Sequence, residues 1–417
     1  MGPSLSIAIR FLVAKKRSML MSLGGIAFGV GFFIVTQAQV SGFQEFFIDT
    51  ILGTEGAIKI TDRYQNTLTS VSASTAEGGP TGFFYADKAN TRFVEGVEYP
   101  EDLIESLKAI ENFEAASPVL VGNMRITSPL RKDSGQIYGI DLDAHLEVTN
   151  LKDQMRLGSL EEFRGTPSGI VIGQSMKEYL QASIGDSLII QILDQKRRYR
   201  VVGVFETGVS DIDESRVFMH LQEARSLMKE AHGVTFVQVQ VKDRDLAPLD
   251  ARAIRRLTNH AAAAWQEREK SWLGVFKALQ ISAAITVSTI ILISGLGMFN
   301  TLVMIVMEKT REIAILRSMG YTRQDIMNVF FLQGALVLIL GTAIGFGFGA
   351  GITYGISKMR IGIRGIFTAD TYIVNWSIMH YAYAAITATV IVMFASLAPA
   401  RRAARLIPGD VIRGTST

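Results

Sequence analysis

The stretch EKTREIAILRSMGYTRQDI (308–326) is dense in charge, yet both segments that flank it carry none. Ala278–Met307 before it and Ile326–Ser357 after it lack Asp, Glu, Lys and Arg altogether, and so do Ser18–Gln44 and Thr371–Ala400. A helix rising about 1.5 Å per residue crosses a roughly 30 Å hydrocarbon core in about 20 residues, so each run is long enough to span a bilayer. The chain of 417 residues is 48% hydrophobic and 19% charged, which agrees with this patterning. The expected fold is a membrane protein of four transmembrane helices (18–44, 277–307, 326–357 and 378–400), with a large α+β extracytoplasmic domain (45–276) between the first two. The rest comprises an N-terminal segment (1–17), the charged loop (308–325), a short loop (358–377) and a tail (401–417).

Basic residues orient these spans. Arg10, Lys15, Lys16 and Arg17 precede the first, and Arg401, Arg402, Arg405 and Arg413 follow the last. The positive-inside rule therefore makes both ends cytoplasmic, and with them the loop 308–325. Lys358, Arg360 and Arg364 fall on the outer side and weaken the bias without reversing it. The first apolar run extends through Phe32 and Phe33 into TQAQVSG, unlike the short core of a cleaved signal peptide. Glu45–Lys277 holds 27 basic and 34 acidic residues, a net of about −7, against about +10 for everything else. An acidic external domain excludes nucleic acid as a partner. With no cysteine, it must hold together by its core alone.

Within that domain, SGFQEFFIDTILGTEGAIKITDRY (41–64) reads as a continuation of the first helix, with Phe43, Phe46, Phe47, Ile51 and Leu52 apolar, Gly53 as its stop, and AIKIT as a strand. Gln65–Gly96, rich in Ser, Thr, Ala and Gly, reads as a flexible loop. PEDLIESLKAI from Pro100 is helical, and AASPVLVGNMRIT after it is a strand. Gly169–Ile172 is a strand before a short helix. Gly185 and Asp186 form a turn, and Ser187–Leu193 with Tyr199–Phe205 form a hairpin. Arg216–His220 and Thr235–Val241 are further strands, and Leu249–Lys277 is one helical stretch leading into the second span.

Motifs for catalysis are missing. The chain has no G-x-x-x-x-G-K-[ST] and no H-E-x-x-H, and its 5 histidines are scattered. GQSMK at Gly173 lacks the second glycine of a nucleophile elbow. Asp211, Asp213 and Glu214 lack the remainder of a calcium loop and read as a solvated turn. No catalytic or metal site is expected.

The spans say more. Gly341, Gly345 and Gly349 recur every fourth residue, with Gly347, Gly351 and Gly355 as a second row, and Gly25 and Gly29 repeat the spacing in the first span. Such small residues let helices approach closely in lipid. Asn300 lies within the second span and calls for a hydrogen-bond partner. In the charged loop, Glu308 with Arg311 and Lys309 with Glu312 stand three apart on one face, while Ile313, Leu316 and Met319 share another. Gly320 can end this helix, and Thr322 with Asp325 forms a capping box for the next. An apolar face with a charged rim suits docking into a groove on a cytoplasmic partner.

EKTREIAILRSMGYTRQDI resembles the coupling segment of the permease superfamily that includes FtsX, MacB and the lipoprotein-releasing pair LolC and LolE. FNTLVMIVMEKTREI, APARRAARLIPGDVIRG, IGDSLIIQ and YRVVGVFETG carry the same resemblance, and SGFQEFFIDTILG is similar to the lipoprotein-releasing branch. The resemblance implies the permease subunit of an ATP-driven, force-transmitting ABC transporter in a bacterial inner membrane, extracting or exporting a lipoprotein or other lipophilic cargo. It further implies a second permease copy or paralogue, and a separate ABC ATPase dimer that holds ATP and Mg, this chain holding no cofactor. By resemblance, Glu308, Lys309, Arg311, Glu312, Ile313, Leu316, Arg317, Met319 and Gly320 dock on that ATPase. A periplasmic carrier or adaptor is a further partner. MacB-like efflux and FtsX-like signalling to a cell-wall hydrolase remain as alternatives. In LolC a protruding loop recruits the carrier, whereas here only Asp194–Arg198 (DQKRR) joins the corresponding strands.

Overall fold

The computed structural model describes residues 3–14, 16–65, 68–73, 81–86, 92–94, 96–230, 232–359 and 371–406. Expectations placed on 360–370 and on the tail beyond 406 lie outside the described residues. Among the described residues, four helices are long and apolar enough to cross a membrane: Lys16–Glu55, Lys270–Glu308, Arg323–Ser357 and Ile378–Ala404. The chain divides into two compact units, and the division falls after Glu45 in the first long helix and before Gly274 in the second.

In the helical unit, the spans are joined by a helix that sequence reading did not anticipate, Pro3–Ala14, which contributes Ala8 and Phe11 to the core. That core runs through Ile26, Val30, Ile291, Leu302, Phe330, Val337 and Val392. Ile285, Ile293, Ile339, Ile386 and Phe394 point outward and are exposed, as lipid-facing side chains should be. Hydrocarbon supplies no hydrophobic drive between helices, so cohesion here depends on close packing and buried polar contacts.

The sheet unit is α+β. Its strands, in chain order, are β1 (Ile58–Gln65), β2 (Leu68–Ala73), β3 (Thr81–Ala86), β4 (Arg92–Val94), β5 (Phe113–Thr127), β6 (Lys132–Ile140) and β7 (Met155–Gly158). They continue with β8 (Gly169–Gly173), β9 (Ser187–Ile192), β10 (Gln195–Phe205), β11 (Arg216–His220), β12 (Phe236–Val241) and β13 (His260–Ala264). The main sheet runs β13-β1-β12-β5-β6-β11-β8-β10-β7, while β9 pairs with both β10 and β5. Six strands, β5, β6, β11, β8, β10 and β9, thus close into a ring, which leaves few sheet edges exposed. The ring encloses Met124, Ile126, Ile137, Ile170, Ile190, Tyr199, Val201 and Val217, so alternate residues of each strand form a dry core without disulfides.

Several local readings change. The first helix does not stop at Gly53 but runs to Glu55 and stops at Gly56, whose φ of +67° suits glycine. Gly53 is instead a point of close approach, where a β-carbon would lie 2.9 Å from Asn150 Nδ2. Leu249–Lys277 is not one helix. The helix Ala247–Thr258 ends at left-handed Asn259, and β13 and a short helix (Trp265–Arg268) follow before Lys270 begins the next. The alanines of β13 suggested helix. They are used in a strand because Ala262 and Ala264 pair with Ile60 and Ile58, and their small side chains fit against the neighbouring helix. Within Gln65–Gly96, β2 and β3 form an antiparallel hairpin, where a flexible loop was expected. The DQKRR connection shrinks further: Gln195 already pairs with Ile192, so Leu193 and Asp194 alone make the turn, and Gln195–Arg198 belong to β10.

Candidate functional site

The charged loop folds as the helix Thr310–Ser318 between two spans. Lys309 pairs with Glu312 one turn on, and its ammonium lies 5.8 Å from the centre of the Phe11 ring. Ile313 and Ala314 are buried in the helical unit, and Leu316 is half-buried beside them. Gly320, at φ +101°, reverses the chain, with Tyr321 N donating to Leu316 O at 3.2 Å. Thr322 and Asp325 then form the capping box that starts the third span, with Thr322 N donating to Asp325 Oδ2 at 2.8 Å and Asp325 N to Thr322 Oγ1 at 3.2 Å.

The apolar face expected to dock on a partner is turned into the helical unit instead, with Ile313 fully buried and Leu316 packed beside it, and two more residues of the expected set differ in position. Met319 does not continue the apolar face of Ile313 and Leu316: it caps the helix and is 73% exposed. Arg317 turns inward, and its Nη1 donates to Ala404 O at 3.0 Å and Leu406 O at 2.9 Å. Ala404 is the last residue of the last span and Leu406 follows just beyond it, where a cation is favoured by the helix dipole and satisfies carbonyls left without partners inside the helix. Arg317 therefore pins the short helix to the last span. Glu308, Arg311, Glu312, Ile315, Ser318, Met319 and Gly320 remain as the exposed rim.

The glycines lie where they bring backbones together. A β-carbon on Gly25 would stand 2.8 Å from Ser294 Oγ, and one on Gly29 2.8 Å from Ile291 Cγ1, so both lie against the second span. On the third span, a β-carbon at Gly341 would come within 2.9 Å of Ile26, at Gly345 within 2.8 Å of Val30 Cβ and Ala27 O, and at Gly349 within 3.0 Å of Gly31 O. The second row behaves differently, for Gly347, Gly351 and Gly355 meet nothing within 4 Å. Asn300 is exposed, in a groove that it lines with Ser18, Ser22, Gly25, Ser294 and Thr301. The hydroxyls of Ser18 and Thr301 bond across that groove at 2.7 Å. Farther along the spans, Gln280 Nε2 donates to Gln44 Oε1 at 2.6 Å, and Ser41 Oγ meets His380 Nε2 at 3.1 Å.

In the sheet unit, among the described residues no three His, Asp or Glu side chains stand close enough to hold a metal ion. Asp211, Asp213 and Glu214 sit on a short helix, and Asp213 is turned inward to accept from Thr207 N at 2.9 Å and Thr207 Oγ1 at 2.8 Å. Burial pushes its carboxyl up to about 6, although the Thr207 bonds oppose that shift. His145, 1% exposed, is held down to about 3, first by burial and then by the cation of Arg216. Arg216 forms an ion pair with Glu55, the last residue of the first long helix. The sequence carried no sign of that buried pair, whose members are 161 positions apart.

A helix pinned between two spans, a glycine-packed bundle and a ring-closed sheet domain inserted after the first span together define a permease of modular build. Residues 19–257 match the family of the MacB-like periplasmic core domain and residues 284–408 the FtsX-like permease C-terminal family; the chain belongs to the permeases that combine the two. It is 26% identical to the lipoprotein-releasing system transmembrane protein LolC of Xylella fastidiosa (strain 9a5c), over 98% of each chain. It is 22% identical to the macrolide export ATP-binding/permease protein MacB of Neisseria meningitidis serogroup B, covering 97% of this chain and 60% of that one. Among solved structures, the extracellular domain of the transporter YknZ from Gram-positive bacteria matches at a TM-score of 0.32 and 15% identity, over 49% of this chain and 98% of that one.

Proposed function

We propose that the chain is the permease subunit of an ATP-driven ABC transporter in a bacterial inner membrane, which extracts or exports a lipoprotein or other lipophilic cargo. The observation that carries this reading is the helix Thr310–Ser318. Its inner face is fixed by Ile313, Ala314 and Arg317, and its outer rim is left exposed and charged. A rim of that kind offers a rigid lever to a soluble motor. Both termini and this helix lie in the cytoplasm, and the sheet domain lies in the periplasm, following the basic residues that flank the spans. A separate ATPase dimer binds ATP and Mg, closes on ATP binding and reopens on hydrolysis, and moves the spans through the rim, while a second permease copy or paralogue completes the membrane assembly. The cargo class rests on the relatives named for lipoprotein release.

A second reading, efflux with a periplasmic adaptor, is favoured by one feature. The hairpin between β9 and β10 turns on Leu193 and Asp194 and leaves nothing protruding to recruit a carrier. Purification of the chain with its neighbouring gene products tests both. An ATPase with a lipoprotein carrier supports release, an ATPase with an adaptor supports efflux, and a cell-wall hydrolase without transport would overturn the proposal.

A further inference from the structure

An acidic residue is out of place at the C-terminus of a helix, where the dipole already places partial negative charge. Yet the 40-residue helix Lys16–Glu55 ends on Glu55. Its carboxylate is gripped from two directions: Oε1 pairs with Arg216 at the start of β11, and Oε2 lies 3.8 Å from Arg268 Nη2. Arg268 ends the short helix that immediately precedes the second long helix, Lys270–Glu308. One carboxylate thus ties the end of one long helix, the lead-in to the other and a strand of the closed ring.

The surrounding contacts reinforce the tie. Gly53 O accepts from Asn150 N at 2.7 Å, Thr54 O from Gln238 Nε2 at 3.4 Å, and Gly56 O from Arg268 Nη2 at 3.2 Å. The carbonyls of the last helical turn, which lack partners within the helix, are in this way taken up by the sheet unit. The Arg216 guanidinium also stacks 4.5 Å from the centre of the Tyr138 ring. Lys59 is a third cation in the field of Glu55. Without Glu55, three cations would face one another in a largely buried site, so the carboxylate holds the joint together.

The geometry points to Glu55 as a positioning residue that locks both long helices to the sheet domain, so that movement of the spans is delivered to that domain instead of being lost at a hinge. This inference rests on the transporter reading above. The test uses the assembled transporter with its ATPase in lipid nanodiscs, comparing hydrogen exchange of sheet-domain peptides with and without ATP and vanadate. In the unmodified protein, ATP trapping should change exchange in β5, β8 and β12. Glu55→Gln and, separately, Arg268→Gln should reduce that response roughly fivefold or more while ATP hydrolysis continues, and Glu55→Asp should restore part of it. If the unmodified domain ignores ATP, the transporter reading itself fails. If it responds and both Gln variants respond equally, the lock is wrong. Should Glu55→Gln not fold, Arg268→Gln carries the test, because Arg216 still pairs with Glu55 in that variant and no carboxylate is removed from the site.

Discussion

The two ends of the first and second spans are finished in opposite ways. Where the second span meets the third, the short helix is pinned on one side by Arg317 and left open on the other, with Arg311, Glu312, Ile315 and Met319 exposed. Where the first long helix ends, its contacts turn inward: Glu55 is paired, the carbonyls of Gly53 and Thr54 are bonded, and Gly56 fits against Val239 O. An open rim on a rigid base is a surface for a partner, whereas a closed charged joint is a mechanical connection. Under the proposed function, the first site receives force and the second delivers it.

The largest effect should come from the packing that makes the bundle one body. Gly345→Leu would drive side-chain atoms into Val30 and Ala27, costing about 3 kcal/mol or more, while Gly351→Leu, in the row that meets nothing, should leave unfolding in detergent unchanged. Thermal melts of the two variants separate these outcomes. Next is a pH effect on the sheet unit. His145 is neutral and buried, with its folded pKa below the unfolded value, so the unfolded chain takes up the proton first as pH falls below about 6.5, and stability is lost with acid. Replacing it by Gln should remove about 2 kcal/mol of the stability difference between about pH 7 and pH 5. Asp213 acts in the opposite direction: raised to about 6, its ionisation costs stability as pH rises from about 4 to 6, and Asp213→Asn should flatten that part of the profile. Unfolding followed by circular dichroism across this range checks both slopes.

Smaller effects should sharpen the distinction between base and rim. Arg317→Met removes two charge-assisted bonds to carbonyls and should cost roughly 1–3 kcal/mol, whereas Glu312→Ala, on an exposed pair, should cost about 0–1 kcal/mol yet still abolish stimulation of the ATPase. Smallest is the hairpin tip. Leu193 sits at φ +48°, so Leu193→Gly should stabilise the sheet unit by roughly 0.5–1 kcal/mol, measured by urea unfolding.

Features that depend on neighbours in sequence were legible in it. The uncharged runs gave four spans, the Thr322–Asp325 spacing gave a capping box, and the alternation in 187–205 gave a hairpin. Features that depend on distant partners were not. Arg317 looked like a rim residue because its acceptors lie 87 and 89 positions away. His260–Ala264 looked helical because alanine favours helices, and only pairing with β1 makes it a strand. Two glycine rows of the same spacing could not be told apart until one was found against the first span and the other in open space.

Under the proposed function, the rim of the helix Thr310–Ser318 receives a motor subunit. With no native cysteine in the chain, Met319→Cys can carry a short photo-crosslinker in native membranes, with lipid-facing Ile386→Cys as its control. An adduct should form at Met319 with a subunit containing a P-loop, should be lost when Glu312 and Arg311 are replaced, and should not form at Ile386. ATP-driven transport with no adduct at Met319 or Ile315 would contradict it.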